Sequence, residues 1–294
     1  MRDALHALTG EVWAIDESWL PLLAALATRG DVKPEHQKVW TDREAFASAG
    51  AGSRRLGGAR YATVTQDNVA LLRIYGPIFP RANLMTEASG ATSVSMLQAD
   101  YQAALVSPDV DAVMLLIDSP GGAVSGVSAL ADRIWAGKKQ KPTFAHVEGS
   151  MASAAYWLGC QASRVTADRT ALIGSIGVAA AIPKQSGPDK DGKNWIEVVS
   201  SNAPDKRPDA ASEDGLAKIR KMLDGVEAEF IADVARGRGT TATRVKSDFG
   251  RGGMEPARAA ADVGMIDRVA SFNDAYRDIV RDLKNDRRAA ALRQ

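Results

Sequence analysis

The chain is poor in the residues that most often bind metals or cross-link small folds. Its 294 residues include one cysteine and three histidines. A lone Cys160 excludes an internal disulfide framework and a Cys-rich zinc site. His6, His36 and His146 are scattered, and no pair has metal-ligand spacing, so no metal and no other cofactor is expected. An excess of one charge is missing too: 37 Lys and Arg face 36 Asp and Glu, a net charge of +1. No strong overall field draws the molecule to nucleic acid or to an acidic membrane. Long apolar runs are also lacking. The best near the start, "WLPLLAALA" (Trp19 to Ala27), is too short to span a bilayer. Asp16 and Glu17 precede it where a signal peptide carries positive charge. It reads as an amphipathic helix, and a soluble, intracellular protein without a membrane anchor is expected.

What is present is an ordinary globular composition, 45% hydrophobic and 25% charged. Residues 1–60 are expected to form an N-terminal helical or mixed segment that runs into a flexible linker, "ASAGAGSRRLGGAR". From residue 61 strands and helices alternate. "NVALLRIYGPI", "DAVMLLID" and "PTFAHVE" have the continuous apolar character of buried strands. "SVSMLQADYQAALVS", with Ser93 as N-cap, "SALADRIWAGKK" and "ASAAYWLGCQA" fit helices. "SRVTA", "TALIGSIGVAAAI" and "NWIEVVSS" follow as short strands. A long amphipathic helix runs from Ser212 to about Arg238, and "EPARAAADVGMIDRV" is a further helical region. This order predicts a layered α/β fold with parallel strands over residues 61–275, then a polar helical tail over 276–294.

Ligands of open α/β sheets bind at the carboxyl ends of strands. Two small-residue turns lie there. "DSPGG" follows "DAVMLLI"; Gly121 and Gly122 leave their amides approachable, as an anion hole or as a plain tight turn. "EGSMAS" follows "PTFAHV" and brings Ser153 to the start of a helix. There it is either an N-cap or packing residue, or a nucleophile whose developing charge the Ala154 amide helps hold. Gly149, Ser150 and Ala152–Ala155 are unusually small for residues just before Tyr156 and Trp157. Either two elements pack very closely there, or the backbone approaches a substrate. A nucleophilic serine needs a base. His146 lies inside a strand, where a core histidine is the simpler account, and the G-x-S-x-G elbow is absent. A lysine base is the remaining option.

Three motifs in order, "LLIDSPGGAVSGVSALADRI", "GSMASAAYWLGCQASRVTA" and "LIGSIGV", resemble the signal peptide peptidase A family of serine proteases. The likeness runs from about Val69 to Val269. It implies a Clp-protease/crotonase-like fold of repeated ββα units and a Ser/Lys dyad. Carried over residue by residue, the nucleophile is Ser153 and the oxyanion donors are the amides of Gly122 and Ala154. Ser175 orients the lysine. The general base falls on Lys206 in "VVSSNAPDKRPD", although the family often has a shorter SG-x-x-K arrangement here. Asp205 beside it favours the charged amine if it points the same way. Lys184, Lys190 and Lys193 lie in a polar loop where solvated lysines are the default. Substrate would lie as an extended strand beside Gly121 on one side and Ile176, Gly177 and Val178 on the other.

The segments "VWAIDESWLPLLAALATRG" and "YGPIFPRANLMTEASGATS" are similar to the phage and prophage branch, which cleaves scaffold and portal-associated proteins during capsid maturation. The resemblance therefore implies a polypeptide substrate, a homo-oligomer with sites completed between subunits, and a place in the host cytoplasm or the assembling procapsid. Two alternatives stay open beside it: a cytoplasmic bacterial peptidase that degrades peptides, and an inactive capsid-assembly factor. A crotonase-type acyl-CoA enzyme would share the fold, but its acid/base carboxylate pattern is absent.

Overall fold

A computed structural model of the chain describes residues 12–16, 53–82, 91–182 and 198–292. Its strands are β1 (Trp13–Ile15), β2 (Arg54–Arg55), β3 (Ala62–Val64), β4 (Val69–Tyr75), β5 (Ile78–Phe79) and β6 (Thr92–Ser93), followed by β7 (Ala112–Ser119), β8 (Gly121–Ala123), β9 (Thr143–Ala152), β10 (Arg164–Ala167), β11 (Leu172–Gly174), β12 (Met254–Pro256) and β13 (Arg268–Val269). The helices are α1 (Val94–Val106), α2 (Val127–Gly137), α3 (Ala154–Gly159), α4 (Glu213–Arg238), α5 (Ala242–Asp248), α6 (Ala257–Val263) and α7 (Phe272–Ala291).

The apolar runs of β4 and β7 set the layering. Ala70, Leu72 and Ile74, with Val113, Leu115 and Ile117, face one core, and α1, α2, α3 and α4 pack on it. Val69 and Leu71, with Ala112, Met114 and Leu116, face the other side, where Ala275 and Ile279 of α7 close over them. A sheet covered on both faces needs apolar residues at both phases of the strand alternation, which is why these strands read as continuous hydrophobic runs.

Among the described residues the main sheet runs β12-β11-β9-β7-β4-β3-β2, with β10 against β9 and β13 against β10. β4, β7 and β9 are parallel. β9 divides its length: Phe144–Val147 pairs with β10, and Ser150–Ala152 pairs with β11. That division carries its last residues away from the sheet centre and toward the glycine strand β8. A smaller sheet, β1-β8-β5-β6, stands at this end of the molecule.

Among the described residues the expected helices form, α1 with Ser93 as its expected N-cap and α4 with Ser212 as a cap at its expected start. The Met96 amide donates to Ser93 Oγ at 3.5 Å ahead of α1, and the Gly215 amide to Ser212 Oγ at 3.0 Å ahead of α4. Glu213 and Asp214 open α4 and Arg236 and Arg238 close it, complementing the helix dipole, before Gly239 ends it in a left-handed conformation.

Some boundaries differ. Within the expected helical segment and linker of residues 1–60, the described pieces include two strands: Trp13–Ile15, and Arg54–Arg55 paired with β3. Alternating contacts with existing strands override the local helical pattern there. Most of "NWIEVVSS", the polar loop with Lys184, Lys190 and Lys193, and Trp19–Ala27 lie outside the described residues, and Val198–Ser200 has no regular structure. The final helix begins at Phe272 rather than 276, because its first turns supply Ala275 and Ile279 to the second core.

Candidate active site

The turn after β7 is anchored before it presents its glycines. Ser119 Oγ donates to the Gly76 carbonyl at 2.7 Å and accepts from the Gly121 amide at 3.2 Å. Gly121 has φ +94°, and a Cβ there would collide with the Ala14 carbonyl oxygen and lie 2.9 Å from both the Ala152 carbonyl oxygen and Ser153 Cβ. Gly122 is held for a different reason. Its Cβ would overlap the backbone of Ile78, whose strand runs parallel beside it. One glycine therefore admits the serine, and the other admits a neighbouring strand.

Ser153 joins β9 to α3 with φ +53° and ψ −117°, a conformation that residues other than glycine rarely hold. Two backbone bonds fix it: its N–H donates to the Gly174 carbonyl at 2.8 Å, and its carbonyl accepts from Trp157 N–H at 2.9 Å. The residue is fully buried and its side chain caps no helix amide. The N-cap account of Ser153 thus has no bond to rest on. The hydroxyl instead donates to the Gly177 carbonyl at 3.4 Å, a long contact that leaves it only weakly engaged. A strained, over-determined backbone at a buried hydroxyl is the kind of outlier that marks functional positions. Ala154 follows as the first residue of α3.

Close packing of two elements accounts for the small residues. A Cβ on Gly149 would press on the Asp118 carboxylate, whose Oδ1 accepts the Ser150 amide at 2.9 Å. A Cβ on Gly159 would come within 2.8 Å of Ile117 Cδ1. Close packing along β9 and α3 therefore brings Ser153 against the glycine strand. Tyr156 and Trp157 anchor the far side. Tyr156 donates to the Met265 carbonyl at 2.9 Å. Trp157 stacks on Phe230 at 4.4 Å and donates to Asp233 at 2.7 Å, a core role rather than a substrate-binding one.

His146 is a core residue. It is buried in β9, its Nδ1 lies 2.9 Å from Thr166 Oγ1, and it packs edge-on to Phe272. Burial pushes its pKa down to about 4, which keeps it neutral. Cys160 is likewise inert: burial pushes the thiol up to about 12.

Of the expected site residues, Gly121 abuts Ser153 Cβ, and the Ser153 hydroxyl reaches the Gly177 carbonyl. Val178 packs against the core. Ser175 adopts φ +52° and donates its N–H to the Gly253 carbonyl at 2.8 Å. Lys206 stands apart. It ends the three-residue turn Pro204–Lys206, its side chain is exposed, and within this single chain it makes no hydrogen bond to Ser153 or Ser175. The adjacent Asp205 is paired with Lys218 at 2.7 Å.

Two neighbours were not singled out from sequence. Glu227 of α4 stands 3.6 Å from where a Cβ on Gly177 would lie, so a carboxylate overlooks the segment whose carbonyl accepts the Ser153 hydroxyl. Nothing in the charge pattern of α4 distinguishes Glu227 from its exposed neighbours. The other is β1, whose "WAI" falls within the expected helical or mixed N-terminal segment. Among the described residues no group of three or more His, Cys, Asp or Glu gathers to hold a metal ion. No described helix is long and apolar enough to cross a membrane.

Comparison with known proteins places the chain in a family. Residues 135–285 match the model of peptidase family S49. The head-tail preconnector protein GP5 of Enterobacteria phage P21 is 26% identical over 81% of this chain and 48% of its own length. The capsid assembly protease C of Escherichia phage lambda is 27% identical over 76% of this chain and 51% of its own. Protease 4 of Salmonella typhi is 24% identical over 93% of this chain and 44% of its own. The chain thus spans about half the length of these curated relatives. A family match over half of the chain, in the segment that carries Ser153, makes this protein a member of peptidase family S49, and the layered sheet is that family's Clp-protease/crotonase-like fold.

Proposed function

We propose that the protein is a serine endopeptidase with a Ser153/Lys206 dyad, acting in phage or prophage capsid maturation on a scaffold or portal-associated protein. The observation that carries the peptidase reading is the buried Ser153, held at positive φ against Gly121 of β8. The names of the phage relatives support the capsid setting.

In the proposed reaction Ser153 Oγ attacks the scissile carbonyl carbon, and its proton passes to the neutral Lys206 amine. The Gly122 and Ala154 amides hold the oxyanion of the tetrahedral intermediate. The protonated lysine then donates to the leaving amine, and water, deprotonated by the same lysine, cleaves the acyl-enzyme. Ser175 orients the lysine, and Gly121, Ile176, Gly177 and Val178 pair with the substrate backbone.

A lysine base at neutral pH needs roughly 4–5 kcal/mol of disfavour for its ammonium, which burial supplies. The Lys206 side chain is exposed in one copy, so its dry surroundings come from assembly. A homo-oligomer in which a neighbouring copy completes the site provides them. The test is cleavage of the cognate scaffold by wild type and by Ser153→Ala. Loss in the variant is expected; equal cleavage removes Ser153 as nucleophile. The exposure of Lys206 also favours a second reading, an assembly factor without catalysis. A fluorophosphonate that fails to label Ser153 in every assembly state selects it.

A further inference from the structure

The groove in which a substrate strand is expected is already filled by the chain itself. β1 runs antiparallel to β8, with Trp13 opposite Ala123, Ala14 opposite Gly122 and Ile15 opposite Gly121. The Asp16 amide donates to the Pro120 carbonyl at 2.8 Å, and the Val124 amide to the Val12 carbonyl at 3.0 Å. Antiparallel alternation makes Ala14 and Gly122 the hydrogen-bonded pair midway between those two rungs. The parallel pairing of Ile78 with Gly122 is consistent, since it leaves the Gly122 N–H turned toward β1. The other edge of β1 is also occupied. Trp13 N–H donates to the Ala179 carbonyl at 2.8 Å, and Ala179 N–H donates back to Trp13 at 2.7 Å.

A three-residue strand is thus clamped between the glycine strand and Ala179, which directly follows the wall of residues 176–178 assigned to substrate. Its Ala14 carbonyl oxygen and Ser153 Cβ stand on the same side of Gly121, both within 2.9 Å of the point that a Cβ there would occupy. Its side chains fit the place: Ala14 is fully buried, Ile15 is buried, and Trp13 packs edge-on to Phe79 with ring centroids 6.0 Å apart. Because Ala14 is fully buried, a larger residue at its position must displace packed neighbours.

We propose that Val12–Asp16 is a resident pseudosubstrate. It occupies the peptide groove with Ala14 at the position before a scissile bond, and it identifies the ligand class as an extended peptide with a small residue there and large apolar residues on either side. The proposal rests on the peptidase reading for the role of the groove, not for the groove's occupancy. While β1 is docked, the Gly122 amide is engaged by Ala14 and a foreign strand cannot enter. Opening the site requires β1 to leave.

The experiment has two arms on the full chain. In the first, a fluorophosphonate labels Ser153 in wild type, Ala14→Pro and Trp13→Ala. Proline at position 14 removes the N–H of the central rung, and alanine at position 13 removes the buried ring; thermal unfolding confirms that each variant is folded. Labelling roughly tenfold faster in the weakened variants is expected, about the worth of one or two backbone hydrogen bonds. In the second arm, fluorescent acetyl-Val-Trp-Ala-Ile-Asp-amide is titrated onto Ser153→Ala with and without Ala14→Pro. Binding is expected only when β1 is weakened, and at least roughly tenfold weaker for the same peptide with tryptophan in place of alanine. Peptide binding with no labelling in any variant retains the resident strand and removes the peptidase reading. Folded variants that bind no peptide and label no faster overturn the proposal. So does a peptide that binds the unweakened Ser153→Ala protein equally well.

Discussion

Ser153 and Lys206 end segments of opposite construction. Ser153 is fully buried, fixed by backbone bonds on both sides and pressed against a glycine that tolerates no side chain. Lys206 ends a three-residue turn with an exposed side chain, and the adjacent carboxylate serves another lysine. The contrast separates two requirements of catalysis. The nucleophile and its anion donors need fixed geometry, which a packed core supplies within one chain. A lysine base needs dryness, which an exposed turn gains only when something covers it.

The largest effect that sharpens this contrast is at the serine. Ser153→Ala is expected to lower peptide hydrolysis by at least about 10³-fold while leaving the unfolding temperature nearly unchanged; both are read from purified protein. Next comes the base. Lys206→Ala and Lys206→Arg should each lose about 10²-fold or more, because a guanidinium does not deprotonate. Mixing Lys206→Ala with Ser153→Ala should restore part of the activity if the base crosses between copies. Mixtures as inactive as either parent would place both groups in one chain and weaken the contrast.

Gly122→Ala tests the rigid side alone. Its Cβ has no space beside Ile78, so a loss of roughly 2–4 kcal/mol of stability and of the oxyanion geometry is expected from denaturant unfolding and peptide cleavage. An unchanged midpoint would mean that β5 and β8 are looser than described.

The smallest effect concerns the core that supports β9. His146 has its pKa lowered by burial to about 4 from 6.5. Above pH 6.5 both states are neutral there and the group adds no pH dependence. As pH falls below 6.5 the unfolded chain takes up a proton that the folded chain refuses until near pH 4, so stability is lost across that window. The loss is at most roughly 3 kcal/mol and is absent in His146→Gln. It is measured by denaturant unfolding at stepped pH; identical slopes in both proteins would contradict the burial of a neutral ring.

The same contrast explains what could be read from sequence. β4, β7 and α4 were legible because their patterns follow from burial on both faces and from capping, which are local. Ser153 and Gly122 were legible because small residues at strand ends stand out. β1 was not, since "WAI" earns its strand only from partners more than a hundred residues away, Ala123 and Ala179. Glu227 was hidden for a similar reason: its nearness to Gly177 depends on how α4 crosses the sheet. Lys206 was placed by family likeness alone, and its side chain is exposed in the single chain.

The most direct test is mass spectrometry of Ser153 after exposure of the concentrated, assembled protein to a fluorophosphonate, with Lys206→Ala in parallel. The account predicts an adduct on Ser153 in wild type and a strongly slowed one in the variant. Equal modification of both proteins, or an adduct on a different serine, would contradict it.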